Sequence, residues 1–402
     1  MEYTEFYINA KRRTKEALFS MWAAGKKDTQ KYLEKIFEEE PIIAEPVFQS
    51  MFPWESDTRT FEEFTNIFDE EFIKALSRVN DEKFRFPRDR KPYTHQTESW
   101  LQLLNEKKSI VVTSGTGSGK TECFMLPIIQ DLARQQNAEY GNDNKGGIQA
   151  IFLYPLNALM SSQQKRMAAW CKAVNQQVSF AMYKGDTEEN HKQIMNSALP
   201  ELKSRERIRL TPPQILFTNP TMLEYMLVRK QDKPIIDISK NKKSLRWIVL
   251  DEAHTYSGST AAELSLQIRR VLDAFGVSID DVRFAATSAT LGSGSDEEYK
   301  SFLSQVTGKA HEEIVVIHGN QILPNIARDQ LNLIISDINR EFDNKFTLSE
   351  EKLFTIRKEL NNSVLTAREI ASKFTRSNNI SIEDSLRLID RLSQKNINLI
   401  NY

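Results

Sequence analysis

The stretch Ser114-Gly115-Thr116-Gly117-Ser118-Gly119-Lys120-Thr121 decides the fold. It follows the apolar run Ile110-Val111-Val112 and precedes a helical pattern, Thr121–Gln135, which is the strand–loop–helix context of a phosphate-binding loop. Glycines let backbone N–H groups turn inward around an anion, and the following helix N-terminus adds partial positive charge. In such a loop the Lys120 amine reaches the β- and γ-phosphates and the Thr121 hydroxyl binds Mg²⁺. A plain glycine turn is the alternative, and this context disfavours it.

Two adjacent carboxylates end a second apolar run. Asp251-Glu252-Ala253-His254 follows Trp247-Ile248-Val249-Leu250. A phosphoryl-transfer site needs one acid to hold Mg²⁺ and another to orient and deprotonate the attacking water. We therefore assign Asp251 to the metal and Glu252 to the general base. His254 taken alone is equally typical of a helix start or of core packing.

Composition sets the outer limits. The chain has 402 residues, which predicts two or three domains. Its 54 Lys+Arg and 55 Asp+Glu give a charge of −1, so net charge offers no argument for a nucleic-acid partner. The sequence contains no apolar run of membrane-spanning length, and Met1–Glu5 lacks the pattern of a secretory signal. The two cysteines, Cys123 and Cys171, form no metal or disulfide framework, which predicts a cytoplasmic protein with no membrane partner.

Between about residues 86 and 320, short apolar runs alternate with helical patterns. This alternation predicts an α/β fold with a mainly parallel sheet covered by helices on both faces. The candidate strands are Ser109–Thr113, Gln149–Tyr154, Val178–Tyr183, Gln214–Thr218, Leu245–Asp251, Val282–Thr287 and Glu313–His318. The candidate helices, besides Thr121–Gln135, are Asn157–Lys172, Ser259–Phe275 and Asp296–Gln305.

Residues 1–85 are expected to form an N-terminal helical accessory region. Phe61, Phe64, Phe68 and Phe72 recur at helical spacing, which favours rings packed into a core over an aromatic surface for a partner. Residues 86–320 would then be the central α/β domain.

Residues 321–402 are expected to form a small helical domain. Gln330–Phe342 and Glu350–Leu360 are candidate helices, and the capping boxes Thr366–Glu369 and Ser381–Asp384 each open another. These two short helices and the terminal stretch Asn396–Ile400 resemble a winged-helix unit. Any small helical domain would give the same pattern.

The order of four motifs resembles the first RecA-like lobe of superfamily-2 DEAD/DEAH-box helicases. They are Gln96, the Gly-Lys-Thr loop, Asp251–His254 and Ser288-Ala289-Thr290. More narrowly, residues 45–320 resemble large bacterial helicases: DNA-repair helicases of the MrfA kind and, closer in motif, phage-defence helicases of the Druantia kind. The segments that carry this resemblance are Phe86-Pro87, Pro92–Gln96, Ser114–Glu122, Tyr154–Leu159, Tyr183–Thr187, Thr218–Leu223 and Asp251–Tyr256.

The resemblance implies an ATP site and a coupling route. Gln96 matches the adenine-reading glutamine, whose amide both donates and accepts, and Tyr93 would stack on the base or pack nearby. Ser288 and Thr290 match the motif that links the ATP state to the grip on nucleic acid, through His254. The residues expected around ATP are Tyr93, Gln96, Ser114, Gly115, Thr116, Gly117, Ser118, Gly119, Lys120, Thr121 and Glu122, with Lys120, Asp251 and Glu252 as catalytic residues and Thr121 and Asp251 as Mg²⁺ ligands.

The resemblance also implies a set of nucleic-acid contacts. Such motifs hold phosphates with backbone N–H groups, small polar side chains and helix N-termini, which is how a chain of charge −1 could bind single-stranded or forked DNA. Leu156 and Asn157 depart from the family, since many relatives carry Thr and a basic residue there. The residues expected to contact the strand are Pro155, Asn157, Gln163, Gly185, Asp186, Thr218, Asn219 and Pro220.

The family also needs a second RecA-like lobe, whose arginine finger stabilises charge on the γ-phosphate. No Gln-x-x-Gly-Arg-x-Gly-Arg pattern follows Thr290. An arginine finger is worth ~10³–10⁵ in rate, so this chain alone should bind ATP and hydrolyse it weakly.

We therefore expect the N-terminal part of an ATP-dependent DNA helicase or translocase of bacterial antiphage defence. Its second lobe would come from a C-terminal continuation or from another polypeptide, and other defence-system subunits are further expected partners. The alternative is a non-catalytic clamp or regulatory subunit that binds ATP and nucleic acid without turnover.

Overall fold

The computed structural model describes residues 2–39, 41–49, 52–115, 117–137, 146–174, 178–190, 200–288, 295–322, 328–342, 345–375 and 380–394. They form two compact units: a sheet unit, Trp54–Asn320, and a helical unit that combines Met1–Pro53 with Gln321–Tyr402. The first boundary therefore lies at 53/54 and not at 85/86. Thr116, Thr290 and Asn396–Ile400 lie outside the described residues.

The described residues of the two units form ten strands and fifteen α-helices. The strands are β1 (Val47–Phe48), β2 (Ser109–Thr113), β3 (Ala150–Leu153), β4 (Phe180–Tyr183), β5 (Glu201–Leu202), β6 (Ile215–Thr218), β7 (Trp247–Leu250), β8 (Arg283–Ser288), β9 (Ile314–His318) and β10 (Leu365–Thr366). The helices are α1 (Tyr3–Trp22), α2 (Lys27–Glu39), α3 (Glu70–Ser77), α4 (Thr94–Leu104), α5 (Lys120–Asn137), α6 (Asn157–Ala173), α7 (Arg205–Leu210), α8 (Pro220–Val228), α9 (Lys233–Lys242), α10 (Ser259–Phe275), α11 (Asp296–Thr307), α12 (Arg328–Glu341), α13 (Glu350–Asn362), α14 (Ala367–Ser372) and α15 (Ile382–Gln394).

A single sheet organises the described part of the sheet unit. Its eight strands run in the order β5-β4-β6-β3-β7-β8-β2-β9, and the neighbouring strands pair in parallel. Ile110 and Val112 of β2 point into one buried core, and Val111 between them points into another on the opposite face. The predicted α/β fold, a mainly parallel sheet flanked by helices, is confirmed.

Local chemistry fixes where helices begin and end. α11 begins after Ser295, whose hydroxyl accepts from Glu298 N (3.3 Å) while the Glu298 carboxylate accepts from Ser295 N (3.1 Å). It ends at Gly308, where φ is +87°, a left-handed conformation that favours glycine. Of the helices in the described ranges, none is both long and apolar enough to cross a bilayer.

The aromatic residues before α4 belong to the core of the sheet unit. The ring centroids of Phe61, Phe64 and Phe68 lie 5.8, 5.8 and 5.0 Å from that of Trp100 on α4. All four rings are fully buried. Residues 54–85 are therefore part of the central domain, whereas residues 1–53 belong to the helical unit.

The helical unit is built from both ends of the chain. The Asp390 carboxylate on α15 accepts from the backbone N–H groups of Tyr3 (2.6 Å) and Thr4 (3.0 Å), which open α1. Strands β1 and β10 pair antiparallel. The predicted helices near 330–342 and 350–360 correspond to α12 and α13, and the two predicted capping boxes precede α14 and α15. The winged-helix interpretation stays a prediction, because its last strand would fall on undescribed residues.

Candidate active site

The loop between β2 and α5 is held closed by its own side chains. The Lys120 amine donates to the carbonyl oxygens of Ser114 (2.7 Å) and Gly115 (3.2 Å). Gly117 and Gly119 have φ of +74° and +75°. A Cβ on Gly119 would lie 2.3 Å from Gln96 Nε2, so a larger residue would be strained by the positive φ and would also displace the Gln96 amide.

The paired carboxylates lie at the carboxyl end of β7, beside this loop. β7 pairs with β8, and β8 pairs with β2, so all three strands deliver their ends to one edge of the sheet. We call this stretch, the carboxyl ends of β7, β8 and β2, the loop edge. The Thr287 hydroxyl donates to Asp251 Oδ1 and accepts from Glu252 N (3.1 Å), which ties both acids to β8. Thr287 was missed in the sequence analysis, and its position just before Ser288 was the available signal.

The charges of the loop edge act on one another. Burial raises the pKa of Asp251, and the Glu252 carboxylate raises it further, while the Thr287 hydroxyl and the Lys120 ammonium oppose this. Burial lowers the pKa of Lys120, and both carboxylates oppose that shift. Lys120 and Asp251 therefore occupy one site.

The residues present fit a magnesium-bound triphosphate. Glu252 Oε2 is buried and makes no hydrogen bond within the described part of the chain, although His254 Nδ1 lies 3.4 Å away. Among the described residues, no three His, Cys, Asp or Glu side chains converge on a ready metal cage. Mg²⁺ commonly needs none, because phosphates and water complete its shell beside one or two protein ligands, the role that the sequence predicts for Thr121 and Asp251.

Gln96 is buried, and both ends of its amide are engaged. Its Oε1 accepts from Tyr93 N (3.0 Å), and its Nε2 donates to Gly119 O (3.1 Å), so Gln96 braces the loop. Tyr93 is half-buried and stacks on His95, with ring centroids 5.5 Å apart.

His95 is a second residue to which the sequence analysis gave no role. Its Nε2 lies 2.8 Å from Ser118 O, and since a carbonyl only accepts, this nitrogen carries the proton. Burial lowers the pKa of His95, which keeps the ring neutral. His95 thus holds the end of the loop at Ser118, whereas Lys120 holds its beginning at Ser114 and Gly115.

Glu122 points toward α6. Its Oε1 lies 3.3 Å from Arg166 Nη1, and its backbone carbonyl accepts from Trp100 Nε1 (2.9 Å). Glu122 therefore contacts residues of α6 and α4, the helices that carry Arg166 and Trp100.

The residues expected to contact nucleic acid follow three neighbouring strands. Strands β3, β6 and β4 are adjacent, and we call their carboxyl ends the distal edge. Asn219 Nδ2 donates to Asn157 Oδ1 (2.9 Å), and Asn219 Oδ1 caps α8 by accepting from Met222 N (2.8 Å). The Thr218 hydroxyl donates to Tyr183 O (2.8 Å), which joins the ends of β6 and β4.

The remaining members of this set are placed differently. Gly185 and Asp186 are exposed after β4, where Arg205 donates to Gly185 O (3.0 Å) and Lys184 pairs with Asp186 (3.2 Å). Pro155 follows β3 and Pro220 opens α8. Gln163 lies within α6, where its Nε2 donates to Ser162 Oγ (3.3 Å), so it is not joined to the Asn157–Asn219 contact.

The residues expected to couple the two edges contact the loop edge. His254 Nδ1 lies 3.4 Å from Glu252 Oε2. Ser288 is buried, and its carbonyl accepts from Ser114 N (3.3 Å) at the start of the loop. Thr290 is outside the described residues, so its part in this route stays a prediction.

Comparison with known proteins gives relatives of one kind. The chain is 27% identical to the Druantia protein DruE of Escherichia coli, over 54% of this chain and 17% of that protein. It is 28% identical to the ATP-dependent helicase YprA of Bacillus subtilis, over 54% of this chain and 24% of that protein. The chain thus spans about a fifth of the length of these relatives.

Structure and family agree with this. The DEAD-box helicase Mss116, solved with single-stranded RNA and UDP-BeF, shares the RecA-like fold at a TM-score of 0.50 and 16% identity, over 73% of this chain and 55% of that chain. The DEAD/DEAH box helicase model matches residues 93–297, just over half of the chain. The chain therefore belongs to the DEAD/DEAH box helicase family.

Proposed function

We propose that this chain is the ATP-binding N-terminal part of an ATP-dependent DNA helicase or translocase of the bacterial cytoplasm. The observation that carries the proposal is the meeting of Lys120, Asp251 and Glu252 beside the glycine loop. The much greater length of the relatives supports a second RecA-like lobe further along the complete protein.

ATP hydrolysis would use the loop edge as follows. Lys120 exchanges the carbonyls of Ser114 and Gly115 for the β- and γ-phosphates. Thr121 and Asp251 would hold Mg²⁺, which supplies positive charge that neutralises the phosphates when it is bound. Glu252 would orient a water in line with the γ-phosphorus and take its proton. The water oxygen bonds to the γ-phosphorus as the bond from that phosphorus to the β–γ bridging oxygen breaks, which leaves ADP and phosphate.

The base of ATP would lie against Tyr93 and Gln96. The Gln96 amide keeps one hydrogen and one lone pair beyond its contacts to Tyr93 and Gly119, and these suit an adenine edge. The loop residues Ser114 to Gly119 would surround the phosphates, with Glu122 acting behind them through Arg166.

A DNA strand would cross the distal edge. There α6 and α8 present their N-termini, which attract phosphates, and Asn157 and Asn219 are already joined across them. The motif resemblance to repair and phage-defence helicases supports DNA as the nucleic acid. The 27% sequence identity to the Druantia protein supports a role in antiphage defence, with other defence subunits as partners.

The test compares Lys120→Ala and Glu252→Gln with Lys108→Ala, a control whose amine contacts Glu312 O (2.9 Å) away from the loop. Binding of methylanthraniloyl-ATP and DNA-stimulated hydrolysis are measured for this chain and for the protein carrying its second lobe. We expect Lys120→Ala to lose nucleotide binding about a hundredfold and Glu252→Gln to keep binding but lose turnover. Full DNA-stimulated hydrolysis in both variants would refute the proposal.

A clamp that binds ATP and nucleic acid without turnover is the second candidate. ATP and DNA binding with no hydrolysis, even in the protein carrying a second lobe, would favour the clamp.

A further inference from the structure

Three residues, His318-Gly319-Asn320, end the sheet unit, and we call them the exit segment. They follow β9, which pairs with β2 so that His318 lies in register with Thr113, the last residue before the phosphate loop. Nothing in the proposed function uses them. Each nevertheless contacts a different element of the candidate nucleotide site.

His318 bridges the base of the loop and the start of α11. Its Nε2 lies 2.6 Å from Asp296 Oδ1, and its Nδ1 lies 2.6 Å from Thr113 Oγ1. Because a carboxylate only accepts, Nε2 carries a proton toward Asp296. Asp296 opens the helix that follows Ser288, so the imidazole joins the strand before the loop to the element after the coupling motif.

Gly319 fits beneath the loop without room for a side chain. A Cβ there would lie 2.6 Å from Ser114 Cβ and 2.9 Å from the Trp54 ring. The Gly319 N–H donates to Thr113 O (2.8 Å), which fixes the backbone at this distance. Any larger residue must displace either the first residue of the loop or a buried tryptophan.

Asn320 reaches the segment that carries the base-contacting residues. Its carbonyl accepts from Glu55 N (2.8 Å), and its Nδ2 donates to Glu55 Oε2 (3.3 Å). The Glu55 carbonyl in turn accepts from Thr94 N (2.9 Å), one residue after Tyr93. Three successive residues therefore brace α11, the loop and the start of α4.

We propose that the exit segment positions the phosphate loop and sets the affinity for nucleotide, with His318 as a positioning residue that acts through Thr113. This inference rests on the proposed function. Ordering the base of the loop before ATP arrives reduces the entropy lost on binding, so loosening it should weaken binding without removing any group that touches phosphate.

Two substitutions separate the two contacts of His318. An asparagine amide ends near the position of Nδ1 and can keep the Thr113 contact, whereas a glutamine amide extends toward Nε2 and can keep only the Asp296 contact. We expect His318→Gln to weaken methylanthraniloyl-ATP binding roughly threefold to tenfold and His318→Asn to stay within about twofold of the parent. Gly319→Ala should weaken methylanthraniloyl-ATP binding more than either, by at least about tenfold, because the alanine Cβ would collide with the Cβ of Ser114 in the loop.

His311→Ala is the matched control. His311 is exposed to a similar degree (41% against 43%) and approaches Glu297 at 3.8 Å, the residue after Asp296, without reaching the loop. It should bind nucleotide like the parent. Thr113→Val should weaken nucleotide binding as much as His318→Gln does. The double variant should bind little more weakly than either single variant, because both substitutions remove the same hydrogen bond.

The outcomes separate this inference from the proposed function. Parent-like nucleotide binding by His318→Gln and Gly319→Ala, with binding abolished by Lys120→Ala, would overturn the inference alone. Parent-like binding by Lys120→Ala would overturn both. Equal losses in His318→Asn and His318→Gln, or a fall in the melting temperature of the nucleotide-free protein with unchanged affinity, would assign the segment a merely structural role. Should Gly319→Ala fail to fold, the His318 pair decides.

Discussion

The loop edge and the distal edge belong to the same sheet and are built in opposite ways. At the loop edge, the buried Asp251 lies beside the half-buried Lys120 and Glu252. Thr287 holds the two acids with hydrogen bonds, and Gln96 braces the glycine loop. At the distal edge, Asn157 and Asp186 are exposed. The contacts there are a helix cap, backbone carbonyls, an amide pair and one exposed ion pair.

The difference teaches how one sheet could serve two polyanions. A compact triphosphate rewards charges fixed in place before it binds, because a low-dielectric site strengthens each of them. A long strand offers regularly spaced phosphates, which helix N-termini and backbone groups can hold with few cations. Substitutions at one edge should therefore leave the affinity for the ligand of the other edge unchanged when that ligand is measured alone.

The largest difference between the two edges is expected from Gly119→Ala, which should affect nucleotide binding alone. Alanine at φ +75° is strained, and its Cβ would collide with Gln96, so methylanthraniloyl-ATP affinity should fall on the order of a hundredfold. Oligonucleotide affinity without nucleotide should not change. Gly308→Ala is the control: it places alanine at φ +87° with nothing within 4 Å, so it should cost about 1 kcal/mol of stability and leave both affinities intact.

Thr287→Val comes next. It removes the hydroxyl that ties Asp251 to β8, so nucleotide binding in Mg²⁺ should weaken roughly threefold to tenfold, with Thr287→Ser restoring it. Since that hydroxyl opposes the raised pKa of Asp251, its loss raises the pKa further. A protonated Asp251 cannot hold Mg²⁺, so the valine variant should lose binding at a higher pH than the parent. Titration between pH 8 and pH 5 checks this, and identical profiles would contradict it.

Asn219→Ala tests the distal edge. It removes the cap of α8 and the contact to Asn157, so single-stranded DNA affinity should fall about fivefold, from a loss of about 1 kcal/mol, while nucleotide binding stays constant. Fluorescence anisotropy of a labelled oligonucleotide measures it. Ser349→Ala removes a comparable cap from α13 in the helical unit and should leave DNA affinity unchanged.

The last prediction concerns the stability of the sheet unit, because no change in the binding of either ligand is expected from it. Hydrogen bonds from Arg59 hold the pKa of Asp57 at about 2, and the Thr97 hydroxyl on α4 contributes. Because the folded pKa lies below the unfolded value, this stabilisation is complete above about pH 4 and is lost as the pH falls toward 2. Asp57→Asn should lower the free energy of unfolding by roughly 1–2 kcal/mol at pH 7, and by less at pH 3. Urea unfolding at both pH values measures the difference, and an equal loss at each would contradict the assignment.

Much of the sheet could be predicted from sequence because its strands are short, apolar and separated by helices. Ser109–Thr113 and Ser259–Phe275 have the bounds that their patterns predicted. Other strands begin one or two residues late. At β3, for example, the N–H groups of Gln149 and Ala150 share the carbonyl of Gln214, so regular pairing starts only at Ala150. The two-residue strand β5 is too short to leave a pattern.

The rest depended on contacts that spacing does not reveal. Helical spacing of Phe61, Phe64 and Phe68 indicates a buried face, but only the fold shows that Trp100 is its partner. Asp390 meets Thr4 across 386 residues of chain, which no local pattern predicts. At the loop edge, the motifs named the charged residues, whereas the only sign of Thr287 was its place at the end of an apolar run, just before Ser288.

The helical unit is divided by the sheet unit, which has a consequence for synthesis. Tyr3 and Thr4 leave the ribosome before the sheet unit does, yet their partner Asp390 follows after the whole of Trp54–Asn320 has been made. At ordinary elongation rates this wait is on the order of tens of seconds. The inserted unit begins and ends side by side, with Glu55 N donating to Asn320 O (2.8 Å), and can close on itself during that time. Nascent α1 must therefore stay uncapped, and open to chaperones, until Asp390 has been translated.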